Sequence, residues 1–128
     1  MEQKVKKVAI TGGTHGNELT GVYLIHKFKD HPALIARPSF ETVSYHVNIE
    51  AMKRCTRYMD RDMNRCFTCK ELADPTLHAY EEVLAKEFNT LLGPKGSKSP
   101  RVDFLMDLHT TTANMGLSLC ISTKDSFT

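Results

Sequence analysis

Apolar residues along this chain follow two spacings, one typical of strands and one typical of helices. The run at residues 5–10 predicts a short buried strand, and the glycine turn Thr11-Gly12-Gly13 bounds it. Apolar residues at helical spacing follow in the next segment: Leu19, Val22, Ile25 and Phe28. A strand, a tight turn and a helix are therefore expected in this order.

The middle and the end of the chain predict a similar alternation. Residues 39–48 alternate polar and apolar side chains, so Val43, Tyr45 and Val47 should face one side of a second strand. A helical stripe spans residues 77–92 and ends at Gly93-Pro94; its members are Leu77, Tyr80, Leu84, Phe88 and Leu91. Apolar runs predict further strands at residues 102–108 and 117–122.

Strands that alternate with helices predict an α/β fold with a mostly parallel sheet flanked by helices. The 128 residues have the size of one domain that buries a core without disulfides. The last predicted strand has no covering helix after it, so the sheet is expected to be truncated at its C-terminus. Ligands of such sheets bind at the carboxyl ends of the strands, so the functional residues are expected there.

Three potential metal ligands fall at these strand ends. His15 and Glu18 follow the first strand, and His109 follows the strand at residues 102–108. If residues 14–17 lead into a helix, His15 and Glu18 share a face, with Cβ atoms roughly 5–6 Å apart. Two imidazoles and one carboxylate are a ligand set of catalytic Zn²⁺, which lowers the pKa of a bound water to about 7. The sequence thus predicts one zinc ion and metal-assisted hydrolysis.

Asp107 lies two residues before His109, where its carboxylate can orient a metal ligand. A strand-end turn acid is the alternative interpretation of this residue. The remaining histidines lack such neighbours and are interpreted as surface or helix-face residues: His26, His31, His46 and His78.

Residues 54–65 carry too many charges for a core element, a pattern typical of a solvated face. The chemistry of the proposed hydrolase also needs a cation beside the scissile carbonyl and a clamp for a substrate carboxylate, and arginine supplies both best. Arg57 fits the first role, and Asn64 with Arg65 fits the second. Spacing alone leaves both interpretations open.

Composition narrows the possible partners. The hydrophobic share of 41%, the charged share of 25% and the net charge of +2 are typical of a soluble globular protein and give little basis for binding nucleic acid. No apolar stretch approaches the about 18 residues of a membrane span, and the first residues lack the core of a signal peptide. A cytoplasmic protein with a small-molecule substrate and free cysteine thiols is expected.

Two local motifs suggest other functions. Cys66 and Cys69 have CxxC spacing, but a zinc ribbon needs a second such pair and a redox site needs a helix N-terminus, so incidental cysteines are favoured. Residues 11–16 open like the nucleotide-binding turn of short-chain dehydrogenases. Glu18 stands where that turn has its last glycine, and its bulk and charge oppose a pyrophosphate.

Three segments together resemble the aspartoacylase family of zinc amidohydrolases. In order along the chain they are GGTHGNE at residues 12–18, RYMDRDMNR at 57–65 and DLHTTTANMG at 107–116, and the resemblance spans residues 8–121. It implies a zinc-carboxypeptidase-like α/β fold. It also implies that His15, Glu18 and His109 hold the zinc, that Arg57 polarises the scissile carbonyl, and that Asn64 and Arg65 bind the substrate carboxylate.

The implied reaction is hydrolysis of N-acyl-L-amino acids to a carboxylate and the free amino acid. N-acetyl aromatic or S-substituted cysteine substrates are favoured over N-acetylaspartate. Residues 1–128 would be the amino-terminal part of the catalytic domain, because the family's catalytic glutamate segment is not among them and Asp125, the only acid after His109, has no matching context. Alternatives are an inactive zinc-binding fragment and a metallocarboxypeptidase; a homo-oligomer is a further possibility.

Overall fold

A computed structural model describes residues 4–121, in which strands and helices alternate as the sequence pattern predicts. The strands are β1 (Lys7–Gly12), β2 (Glu41–His46) and β3 (Phe104–Leu108). The helices are α1 (Leu19–Asp30), α2 (Ile49–Arg54), α3 (Cys69–Ala73) and α4 (Tyr80–Leu92), with short 3₁₀ turns at Pro32–Leu34 and Met63–Arg65. No helix of the described part is long and apolar enough to cross a membrane.

The sheet is parallel, with β1 between β2 and β3. On β1, Thr11 pairs with Tyr45 on one side and with Asp107 on the other. All three strands therefore end at the same edge, and the residues that follow them lie next to one another. The expected α/β fold with a parallel sheet flanked by helices is confirmed.

Helices cover the two faces of this sheet. On one face Ala9 packs with Val43 and Tyr45 of β2 and with Phe88 and Leu92 of α4. The residues of β1 that alternate with Ala9 lie on the opposite face of the sheet, towards α1.

Two glycines let α1 approach the sheet closely. A Cβ on Gly12 would lie 2.5 Å from the carbonyl oxygen of Gly21, and a Cβ on Gly21 would lie 2.7 Å from that of Leu108. Helix α1 thus begins directly against the ends of β1 and β3.

Several predicted boundaries differ from the observed ones. The strands β2 and β3 are shorter than predicted at residues 39–48 and 102–108, and two further differences have a visible cause. Strand β1 begins and ends two residues later than predicted, because its ladder to β2 runs from Lys7 to Gly12 and includes the turn-like residues. Helix α4 begins at Tyr80 and not at residue 77. The backbone N–H of Tyr80 donates to the Asp60 carboxylate, and that of Ala79 donates to Glu82, which together cap the helix there.

The predicted strand at residues 117–122 is wrong for residues 117–121, and Ser122 lies outside the described residues. The side chains of Leu117 and Leu119 are 96% and 80% exposed. Within the described contacts no backbone hydrogen bond joins residues 117–121 to a strand. Alternating apolar residues form a strand only where a neighbouring strand accepts their backbone hydrogen bonds.

The CxxC pair belongs to the packing around α4. Cys66 is buried with Val47, Met63 and Ala85, and burial raises the pKa of its thiol. Cys69 is the exposed first residue of α3. The environment of Cys66 is that of a small core side chain.

Candidate metal centre

His15 and Glu18 lie on a tight turn between β1 and α1, and not on a helix as the spacing argument assumed. The backbone N–H of Glu18 donates to the carbonyl of His15 at 3.1 Å, and α1 begins only at Leu19. The turn brings the side chains together as a helix would, with 2.8 Å between His15 Nδ1 and Glu18 Oε1. Both residues are buried.

His109 reaches the same point from the end of β3. Its Nδ1 lies 2.8 Å from Glu18 Oε2, and its ring centroid lies 5.0 Å from that of His15. One potential ligand atom from each of His15, Glu18 and His109 lies within 4.8 Å of the others. The structure thus brings the three predicted ligands together, although 91 residues separate Glu18 from His109 along the chain.

An aspartate stands behind each imidazole. His15 Nε2 lies 2.9 Å from Asp62 Oδ1, and His109 Nε2 lies 2.6 Å from Asp107 Oδ2. Carboxylates on the far nitrogen of a histidine fix its tautomer and ring orientation for a metal on the near nitrogen. Asp107 has the orienting position predicted for it, whereas Asp62 was missed; its only signal in the sequence is its place within the charged segment.

The hydroxyl groups of two threonines hold Asp107 in turn. Thr11 Oγ1 and Thr14 Oγ1 each donate to Asp107 Oδ1 at 2.8 Å. Both threonines are buried, so the carboxylate has a fixed orientation with its second oxygen left for His109.

Charge is concentrated at this centre. Burial alone would raise the pKa of Glu18, but hydrogen bonds from the N–H of Thr110 and from both histidines lower it. The hydrogen bond to Asp107 raises the pKa of His109 to about 9 against the effect of burial, and Glu18 adds to the rise. In the metal-free chain at pH 7, His109 therefore carries a proton on each nitrogen and donates to Glu18 from Nδ1 and to Asp107 from Nε2. A cation that binds here must release one of these protons.

The donor set is one that zinc uses. Two imidazole nitrogens face one carboxylate, and each imidazole has a carboxylate behind it, which is the usual arrangement around a zinc ion held by histidine. Thiolates, the other common zinc ligands, are not part of this cluster in the described residues.

The charged segment supplies further groups at the rim of the cluster. Arg57 is half-exposed, and its two terminal nitrogens lie 3.4 Å from Glu18 Oε1 and 3.4 Å from Asp62 Oδ2. Asn64 Nδ2 lies 3.4 Å from His109 Nε2. The Arg65 side chain is exposed and has no hydrogen bond or ion pair to other residues of the described part. Arg57 and Asn64 thus border the cluster, whereas no contact among the described residues joins the Arg65 side chain to it.

An apolar cavity of about 350 Å³ borders the same cluster between the sheet and α4. Its apolar lining includes Met63, Phe67 and Phe88, and Asn64 and Asp107 form part of its polar wall. A volume of this size is at the lower end of the range for small-molecule sites.

Gly16 fixes the position of the ligand-bearing turn. A Cβ on Gly16 would lie 2.1–2.3 Å from backbone atoms of Ala51 and Met52 in α2, and its N–H donates to the carbonyl of Arg57. We expect Gly16→Ala to lower the free energy of unfolding by about 1–3 kcal/mol, because backbone and not a flexible side chain must move. Urea denaturation measures the loss.

The control for this substitution is Asn17→Ala, which changes the exposed neighbour in the same turn. It should alter the free energy of unfolding by less than about 0.5 kcal/mol. Equal stabilities of Gly16→Ala and the unsubstituted chain would show that the turn and α2 can separate without cost.

Comparisons with known proteins match nearly the whole chain. The catalytic domain of succinylglutamate desuccinylase and aspartoacylase matches residues 4–127. A probable aspartoacylase of Trichodesmium erythraeum is 50% identical over 119 residues, which are 93% of this chain and 40% of that protein. The human N-acyl-aromatic-L-amino acid amidohydrolase (carboxylate-forming) is 47% identical over 126 residues, covering 97% of this chain and 39% of that one.

A solved structure shares the fold. The crystal structure of murine aminoacylase 3 superposes with a TM-score of 0.78 at 44% identity, over 85% of this chain and 36% of that one. The chain therefore spans about two fifths of the length of the relatives that it matches. With the match over residues 4–127, these similarities show that the chain belongs to the family of the succinylglutamate desuccinylase and aspartoacylase catalytic domain.

Proposed function

We propose that this chain carries the zinc site and part of the substrate site of an amidohydrolase that converts N-acyl-L-amino acids to a carboxylate and a free amino acid. The observation that carries the proposal is the convergence of His15, Glu18 and His109, with Arg57 at their edge. Membership of the family supports the reaction class. A cytoplasmic location and a homo-oligomeric state stay predictions.

The residues divide the work between metal and substrate. His15, Glu18 and His109 would hold the zinc, which when bound supplies Lewis-acid chemistry and lowers the pKa of a coordinated water to about 7. Asp62 and Asp107 orient the two histidines through their far nitrogens.

Arginine and asparagine side chains would bind the substrate. Arg57 lies beside the ligand cluster, where its guanidinium can donate to the acyl oxygen as negative charge develops there. Asn64 and the guanidinium of Arg65 would donate to the α-carboxylate of the amino acid, which arginine binds through two parallel hydrogen bonds.

The amino acid preference is a finer part of the proposal. The human relative is named for N-acyl aromatic amino acids, and the cyanobacterial relative is named as a probable aspartoacylase. We favour N-acetyl aromatic or S-substituted cysteine substrates, with N-acetylaspartate as the alternative. Relative rates on N-acetyltyrosine and N-acetylaspartate distinguish the two.

The function is tested by zinc content and amino acid release together. The purified chain, dialysed against zinc and then against buffer, should retain one zinc ion per chain and release amino acid slowly from an N-acetyl aromatic amino acid. A chain that binds no zinc and shows no release above that of His15→Ala would refute the proposal.

The roles of Arg57 and Arg65 predict different kinetic effects. In a full-length relative that carries the same segment, replacing the residue that matches Arg65 by lysine should chiefly raise KM, because it removes binding common to substrate and transition state. Replacing the match of Arg57 by alanine should chiefly lower kcat, by about 10²–10³ if it acts as an oxyanion donor. Steady-state kinetics on one substrate separate the two effects.

The exposed Arg54, in the last turn of α2, provides the control for both substitutions. Its replacement should change neither constant. Small and equal effects at the positions of Arg57, Arg65 and Arg54 would return the whole segment to the interpretation of a solvated face.

A further inference from the structure

Glu81 is a fully buried acid outside the ligand cluster, at the second residue of α4. Its Oε1 accepts hydrogen bonds from the backbone N–H of Met59 at 2.6 Å and from Asn48 Nδ2 at 2.9 Å. Its Oε2 accepts from the backbone N–H groups of Asp60 and Arg61, both at 3.0 Å. Each carboxylate oxygen thus has two donors.

Glu81 is ionised despite its burial. Burial alone would raise its pKa, but the N–H groups of Met59 and Asp60 and the amide of Asn48 lower it, with a further contribution from Arg61. Three successive backbone N–H groups form the kind of concave site that binds anions, and here the protein's own carboxylate fills it. The position in the first turn of α4 also favours negative charge.

The backbone that Glu81 holds lies between the two functional parts of the charged segment. Arg57 precedes residues 59–61 by two positions, and Asp62 follows them directly. Asp62 Oδ1 contacts His15 Nε2, and Asp62 Oδ2 contacts Arg57. A change in the path of residues 59–61 therefore displaces the carboxylate that orients a metal ligand.

Glu81 also connects this segment to the edge of the sheet. Asn48, which donates to Glu81, caps α2 by accepting from the N–H of Ala51. Its own N–H donates to the carbonyl of Gly13, just before the ligand-bearing turn. The contacts of Glu81 thus extend to both chain segments that meet at His15.

We propose that Glu81 is a positioning residue of the metal centre, which holds residues 59–61 so that Asp62 orients His15 and Arg57 faces Glu18. As far as the metal is zinc, this inference rests on the proposed function. Glu81 touches neither the ligands nor the place of a substrate, and it acts through Asp62.

The variant that tests this role is Glu81→Gln, which keeps the size of the side chain. Whichever way its amide is turned, the NH₂ group meets two donors that now bind a carboxylate oxygen, so residue 81 loses two of its four hydrogen bonds, and at least one of the two is to the loop at residues 59–61. We expect zinc to bind 10–100-fold more weakly, the loss typical of contacts behind the ligands. In the metal-free variant, the amide hydrogens of Met59, Asp60 and Arg61 should exchange about tenfold faster.

Asp103→Asn is the matched control. The Asp103 carboxylate also accepts two backbone N–H bonds, from Lys6 and Lys7, but at the opposite end of the sheet. It should leave zinc affinity unchanged even where it destabilises the chain. If Glu81→Gln does not fold, Glu81→Asp retains the charge on a shorter side chain and should show the same two effects, smaller in size.

A double substitution separates positioning from general stability. If Glu81 acts through Asp62, adding Asp62→Asn to Glu81→Gln should weaken zinc binding little beyond the effect of Asp62→Asn alone. Additive losses, or unchanged zinc affinity in folded Glu81→Gln, would overturn the proposal. If the unsubstituted chain binds no zinc, the proposed function fails. The role of Glu81 then depends on hydrogen exchange alone, and unchanged amide exchange at residues 59–61 in Glu81→Gln would overturn it.

Discussion

Replacement of His109 by alanine should abolish stoichiometric zinc binding. The residue supplies one of three ligand atoms in a cluster whose other two members are buried, and its loss leaves Glu18 and His15 without the imidazole that closes the site from β3. The expected loss of affinity exceeds the 10–100-fold typical of residues behind the ligands. Metal analysis of the dialysed protein and zinc titration measure it.

Two further variants provide an intermediate effect and a control without effect on zinc binding. Asp107→Asn removes the charge behind His109 and keeps the ligand, so its loss should fall within the 10–100-fold range. His78→Ala removes an exposed histidine outside the cluster and should leave zinc binding unchanged. Full occupancy in His109→Ala would remove this residue from the set of ligands.

The zinc-loaded chain of 128 residues should hydrolyse an N-acetyl aromatic amino acid at least about a hundredfold more slowly than a full-length relative, because a positioned general base typically contributes 10²–10⁴. The carboxylates around the cluster in the described residues are all engaged. Glu18 faces both histidines, Asp62 binds His15 and Arg57, and Asp107 binds His109 and two threonines. None of them is free to take a proton from water.

Zinc content and circular dichroism of the same sample are the controls, since an unfolded or metal-free chain would also be slow. With full zinc occupancy and a folded chain, the slow rate is assigned to the missing base. Equal kcat/KM values for this chain and the full-length relative would place a general base within the 128 residues and contradict the account of the site.

The periodicity of apolar residues predicted the strands and long helices because burial of one face requires it. Val43 and Tyr45 pack against Ala9 on the predicted face of β2, but in α4 the buried residue is Leu92, whereas Leu91 of the predicted stripe is 40% exposed. The short helices α2 and α3 were not predicted, since five or six residues are too few to show a period. The exposed segment at residues 117–121 shows the opposite error, in which a strand-like pattern has no neighbouring strand to bind.

The ligand cluster could be located from the sequence because a parallel sheet brings the ends of its strands together whatever their separation along the chain. The sequence therefore predicts that His15 and His109 belong to one site. Asp62 and Glu81 could not be assigned in this way. Asp62 lies 47 residues from His15, and Glu81 lies 20–22 residues from the amides it binds.

The α/β fold, the family and the three residues of the ligand cluster can be predicted from the sequence alone, because these follow from local periodicity and from motifs with distinctive chemistry. Tertiary packing shows which nitrogens of His15 and His109 face Glu18, and that Asp62 lies behind His15. The structure also shows that the carboxylate of the buried Glu81 accepts backbone hydrogen bonds from the charged segment. The contacts of Asp62 and Glu81 depend on the packing of α4 against the loop at residues 59–61, and no local pattern of residues encodes a contact between distant segments.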